Sequence, residues 1–107
     1  MGKFIMVVQT QPRDGRVDEY NAWYDEEHLS DVCGIPGVIA GRRFEALPLG
    51  QGPEGLPFLA IYEVEADDPA KVLAELRRRS AEQEMKVSPA LDTSTAVLWV
   101  YRERPIN

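Results

Sequence analysis

Four side chains with proton-exchanging tips fall at helical spacing in one stretch: Tyr20, Tyr24, His28 and Asp31. Steps of four, four and three residues place them on one face of a helix. His28 is the only histidine of the chain. With an ordinary pKa of about 6.5, an imidazole can both accept and donate a proton near neutral pH. Asp31 is spaced to orient that ring. Tyr24, one turn earlier, offers a hydroxyl that can donate to a developing oxyanion. His28, Tyr24 and Asp31 are therefore the candidate catalytic set, and Tyr20, at the edge of the stripe, is a candidate pocket wall. A plainer reading has His28 bonded to a strand and Asp31 capping the helix end. That reading has a difficulty of its own, because a carboxylate is poorly matched to the negative end of a helix dipole.

Other chemistries find less support. Zinc and iron sites usually take two or three His or Cys ligands, and this chain has one His and one Cys. Cys33 also leaves no internal disulfide and agrees with a reducing cytosol. Gly50, Gly52 and Gly55 lie in a loop with no helix after them, so they are not a phosphate cradle. The expectation is a site with neither metal nor cofactor.

The elements that must hold these residues are legible in order. Lys3–Thr10 is a β-branched apolar run ending at turn residues, a strand. Val17–Val32 carries the amphipathic period of a helix, with Gly34 placed as a left-handed cap and Pro36 as a stop. Trp23 projects to the flank of that helix, where packing is its expected role. Residues 38–47 form a second strand, 48–57 a Gly- and Pro-rich loop at the pocket rim, and 58–65 a third strand. Asp68-Pro69 opens a second helix running to about Glu84, and Ala96–Arg102 is the fourth strand. Two crossovers in a βαββαβ order give a ferredoxin-like α+β fold. It has a four-stranded antiparallel sheet with both helices on one face.

Both sheet faces are apolar. Phe4, Met6 and Val8 alternate with Ile5 and Val7, and Leu98 and Val100 alternate with Val97, Trp99 and Tyr101. A sheet with one solvated face alternates apolar with polar instead. Two helices cover one face, so a second copy of the chain is expected on the other, giving a homodimer joined through its sheets. Tyr62, on the face of Phe58, Ala60 and Val64, becomes a second pocket hydroxyl if that face meets the helices. Simple alternation puts Arg42 with Val38, Ala40 and Phe44, and Arg43 with Ile39 and Gly41. One of the two arginines is a candidate substrate-binding residue, and alternation alone does not choose between them.

The whole chain of 107 residues is expected to be one domain. A net charge of −6 argues against nucleic acid as a partner. The apolar N-terminal run is too short for a signal peptide or a membrane span, which points to the cytoplasm.

The residues from Asn21 to Val32, followed by Ile35-Pro36-Gly37-Val38 and Arg42-Arg43-Phe44, resemble the dimeric α+β barrel superfamily. The nearest pattern is its EthD-like branch, in which W-Y-x-x-x-H on a helix precedes P-G and an arginine-bearing strand. Ser30 stands where many relatives have proline. The resemblance implies a sheet-to-sheet dimer and a small-molecule pocket between helices and sheet. It also admits many reactions, cofactor-free oxygenation and haem degradation among them. A single His can hold haem axially in such proteins, though nothing else in this sequence supports it. The expected function is cofactor-independent acid–base catalysis by His28 and Tyr24 on an apolar or aromatic carbonyl compound. That covers cyclase, isomerase, lyase and monooxygenase types. The alternative is a non-catalytic protein of the same fold that binds or senses a small hydrophobic molecule.

Overall fold

The computed structural model describes residues 1–106. Four strands, β1 (Gly2–Thr10), β2 (Val38–Glu45), β3 (Phe58–Ala66) and β4 (Val97–Arg102), form one antiparallel sheet in the order β2-β3-β1-β4. The chain order is βαββαβ, and this is the ferredoxin-like α+β arrangement.

The helix before β2 is a composite rod. It consists of α1 (Val17–Trp23), a π-helical turn (Tyr24–His28) and α2 (Leu29–Cys33), and the junction residues keep right-handed helical dihedrals. The π turn adds a residue to one turn and so rotates everything after it by about 100° relative to a plain α-helix. Val32 is consequently buried and Asp31 exposed, although simple periodicity places both on the inward stripe. Val17 is exposed as well. Gly34 does not take the left-handed cap; its φ is −80°, and the positive φ falls at Gly37.

The second helix, α3 (Pro69–Ala81), starts as its sequence dictates: the Asp68 carboxylate accepts from the Ala70 backbone N–H at 3.0 Å, and proline opens the first turn. It stops at Ala81, three residues before the expected end at Glu84, because Gln83 adopts a φ of 60° and turns the chain away. Residues 82–95 then lay Met85 and Ala90 into the core.

That core lies between the helices and one sheet face. Phe4, Met6, Val8, Phe58, Ala60, Tyr62, Val64, Leu98 and Val100 point into it, joined by Tyr20, Trp23, Tyr24 and Val32 from the helical rod. The opposite face carries Ile5, Val7, Leu59, Ile61, Val97, Trp99 and Tyr101, with Trp99 65% and Tyr101 52% exposed. Among the described residues no helix is long and apolar enough to cross a membrane.

A β-bulge between Val38 and Ala40 breaks the pairing of β2 with β3. Across it, Val38 faces Val64 on the helix side, and Gly41 and Arg43 stand opposite Tyr62 and Ala60 on the same side. Arg42, opposite Ile61, faces outward. The simple alternation that groups Arg42 with Val38 is therefore corrected: the extra residue at the bulge shifts the phase of the strand.

Candidate functional site

The first stripe residues enclose a polar centre within the aromatic core. Tyr20 is fully buried and its hydroxyl is hydrogen-bonded to Thr10 Oγ1 at the end of β1. One turn on, Tyr24 reaches β3, where its hydroxyl lies 3.3 Å from that of Tyr62. Gly41 makes room for the Tyr62 ring: a Cβ there would lie 2.8 Å from it. Burial pushes the Tyr24 hydroxyl up to about 12. The Tyr62 hydroxyl is also held well above its ordinary value, chiefly by burial and then by Tyr24. Both phenols therefore stay neutral across the physiological range and act as hydrogen-bond donors or acceptors, not as bases.

Arg43 is the arginine that enters this centre. Its guanidinium carbon lies 4.3 Å from the centroid of Tyr24 and 5.3 Å from that of Tyr20, with Phe58 at 5.4 Å. Such stacking suits the planar, delocalised cation of arginine better than lysine. Two residues of the rod hold it from the other side: Arg43 donates to Asp25 Oδ1 at 2.7 Å and to Asn21 Oδ1 at 2.9 Å. The Arg43 side chain is 13% exposed and that of Asp25 63%.

His28 closes the site. Its ring stacks on Trp23 at 4.5 Å and 24°, and meets the Tyr24 ring edge-on at 4.9 Å. Trp23 is fixed in turn, its indole N–H donating to the Lys86 carbonyl at 3.1 Å. His28 Nδ1 is buried and has no hydrogen-bond partner among the described residues. Burial first, and the nearby Arg43 cation second, bring the imidazole down from 6.5 to about 4. The ring is thus neutral at pH 7.

The seven residues singled out from the sequence divide into two groups. Tyr20, Tyr24, His28, Arg43 and Tyr62 come together; Asp31 and Arg42 do not. Asp31 is turned out by the π turn and lines a cleft of about 670 Å³ with Glu27, Met85 and Lys86. It is not at His28 Nδ1, so among the described residues no carboxylate orients the ring through that nitrogen. Sequence reading missed Thr10, Asn21, Asp25 and Phe58. Asn21 and Asp25 were detectable in principle, since they lie one turn apart on the flank of the rod. The loop 48–57 lines none of the clefts described here. The cleft of about 450 Å³ is instead at the end of the sheet, beside Phe4, Ile5, Ile39 and Tyr101.

This arrangement of strands and helices is the fold of the dimeric α+β barrel proteins. Three solved structures illustrate the likeness. A candidate monooxygenase from Shewanella loihica has 9% identity and a TM-score of 0.65, over 98% of this chain and 97% of that one. The haem-degrader MhuD of Mycobacterium tuberculosis, solved with two haems in its active site, has 12% identity and a TM-score of 0.66, over 97% and 98%. A protein of the ethyl tert-butyl ether D (EthD) family from Bacillus halodurans has 15% identity and a TM-score of 0.63, over 97% and 100%. No family model and no curated protein matches the sequence. At such identities the likeness is one of fold.

Haem in one of these structures raises the question of fit. An axial histidine must present an open nitrogen to a porphyrin-sized slot. Here Trp23 covers a face of the His28 ring, Tyr24 abuts it, and Nδ1 is buried. The clefts described above are not lined by His28. Neither of these clefts offers a porphyrin-sized slot at His28, so no haem is assigned to this ring.

Proposed function

We propose that the protein is a small homodimeric cytosolic enzyme that acts on an apolar or aromatic carbonyl compound with its own side chains. The observation that carries this reading is the buried, unpartnered Nδ1 of His28. Leaving such a nitrogen unpaired costs about 1–3 kcal/mol, and buried polar groups in folded proteins are nearly always satisfied. In the tautomer that leaves Nδ1 unprotonated, the neutral ring has an unpaired acceptor suited to removal of a proton next to a substrate carbonyl. That step is common to cyclisation, isomerisation, elimination and cofactor-free oxygenation. The pKa of about 4 makes His28 a weak base in the free protein. An enolate formed beside the ring would pair with the imidazolium and raise it again. Tyr24, a neutral donor, is the group suited to the carbonyl oxygen, and Arg43 holds the Tyr24 ring in place.

The exposed apolar sheet face supports the homodimer, since a contiguous patch of this kind marks an interaction surface. The fold's occurrence in a haem-degrader and a candidate monooxygenase supports an enzyme over a purely structural protein. The test is a screen of carbonyl compounds for turnover, followed by His28→Gln and Tyr24→Phe. Unchanged rates in both variants would overturn the assignment.

A second reading, a binding protein without chemistry, draws on the mutual satisfaction of the Tyr24 and Tyr62 hydroxyls. Ligands that shift the NMR resonances of His28 but are never turned over would favour it.

A further inference from the structure

Strand pairing sets the outward sheet face in rows that run from the β2 edge to the β4 edge. One row is Phe44, Leu59, Gln9, Val97; the next is Arg42, Ile61, Val7, Trp99; the third is Ala40, Glu63, Ile5, Tyr101. Arg42 and Glu63 are exposed, and neither has an ion-pair partner among the described residues. At the opposite edge of the same rows, the broad rings of Trp99 and Tyr101 stand open to solvent. The cleft of about 450 Å³ lies between Ile39 on the β2 side and Tyr101 on the β4 side, with Ile5 and Glu63 in its lining. Each edge thus carries what the other lacks: a free cation and a small residue on β2, large rings on β4.

We propose that a second copy docks on this face about a two-fold axis parallel to the strands, so that β2 of each protomer lies over β4 of the other. A two-fold contact uses the same surface on both sides, and about this axis every row meets its own copy reversed. Arg42 then lies against the partner's Trp99, a cation on the ring type that holds it best. The partner's Tyr101 comes over Ala40, the smallest residue of the three rows. Its ring enters the cleft, and its hydroxyl is placed to donate to Glu63. Ile61 meets the partner's Val7, and Phe44 the partner's Val97. Aligned sheets cross at about 30°, an offset that these long edge side chains span. The other in-plane axis, perpendicular to the strands, puts β2 on β2 and β4 on β4. Centred on the Arg42 row it sets Arg42 against itself, and centred on the Ala40 row it sets Glu63 against itself, which like-charge repulsion disfavours. Centred between the rows it crowds Trp99 onto Tyr101 at one edge and lays Glu63 on Ile61. This geometry rests on the homodimer proposed above and specifies how its two faces meet.

Cross-linking reads the axis directly. In a Cys33→Ser background, Phe44→Cys and Val97→Cys are made singly and together and treated with a short bismaleimide. The pair should give a covalent dimer on a denaturing gel. Neither single variant should, because its two thiols lie at opposite edges of the face, about 14 Å apart. Dimer dissociation constants from sedimentation supply a double-mutant cycle. Arg42→Met should raise the constant about tenfold, since its contact with Trp99 occurs twice in the dimer. In a Trp99→Leu background the same change should have little effect. Equal effects of Arg42→Met in both backgrounds, a covalent dimer from either single cysteine, or none from the pair would overturn this geometry while leaving a homodimer in place. A wild type that is monomeric throughout removes the homodimer itself.

Discussion

Trp23 and His28 are five residues apart, yet their rings lie 4.5 Å from one another and 24° from parallel. Five residues of an α-helix turn through roughly 500°, leaving two side chains about 140° apart around the axis. The π turn from Tyr24 to His28 takes up one more residue and brings both rings to the same side. The same turn moves Asp31 out to solvent and Val32 into the core. One local irregularity thus sets the company His28 keeps.

Stability should fall on mild acidification because of His28. Its folded-state pKa, about 4, lies below the ordinary 6.5, so the unfolded chain binds the proton more readily. The contribution is intact above about pH 6.5 and is lost progressively down to about pH 4, on the order of 3 kcal/mol in total. Denaturant unfolding of wild type and His28→Gln between these limits checks it. The variant should lack this part of the slope.

The Tyr24–Tyr62 hydroxyl pair gives a double-mutant cycle. Tyr24→Phe strands the buried Tyr62 hydroxyl and should cost about 1–3 kcal/mol. Tyr24→Phe combined with Tyr62→Phe should cost less than the sum of the single changes, with a coupling of about 0.5–2 kcal/mol. Additive losses measured by urea unfolding would mean that the 3.3 Å contact contributes nothing.

The two adjacent arginines should behave oppositely. Arg43→Lys loses the stacked, forked geometry against Tyr24, Asp25 and Asn21, and should destabilise by about 1–2 kcal/mol. Arg42→Ala, on the outward face, should leave thermal unfolding of the protomer nearly unchanged.

The outward face should be covered by a second copy. Trp99→Asp puts a charge at the centre of the apolar β1–β4 surface, beside Val7 and Val97, and should shift the protein to monomer in analytical ultracentrifugation at micromolar concentration. A wild type that already sediments as a monomer there contradicts the dimer.

Gly41 should not tolerate a side chain. In Gly41→Ala the new methyl would meet the Tyr62 ring at 2.8 Å and the Cys33 sulfur at 3.0 Å. Overpacking of this sort costs about 1–3 kcal/mol, visible as a lowered thermal midpoint.

The sequence by itself determined the order of elements, the two-faced sheet and the start of α3. Those features depend on signals that act locally: alternation in Phe4–Val8 and Val97–Tyr101, the helical period from Tyr20 to His28, and the Asp68-Pro69 cap. Tertiary structure alone decided which candidates meet. The π turn and the bulge after Val38 each insert a single residue into an otherwise regular element, with no clear local signature. Each is held in place by distant partners, the first by rings packed on the sheet and the second by the register with β3. One inserted residue rotates a helix by about 100° or reverses the faces of a strand. For that reason Asp31 left the site that periodicity gave it, and Arg43 rather than Arg42 came to lie over Tyr24.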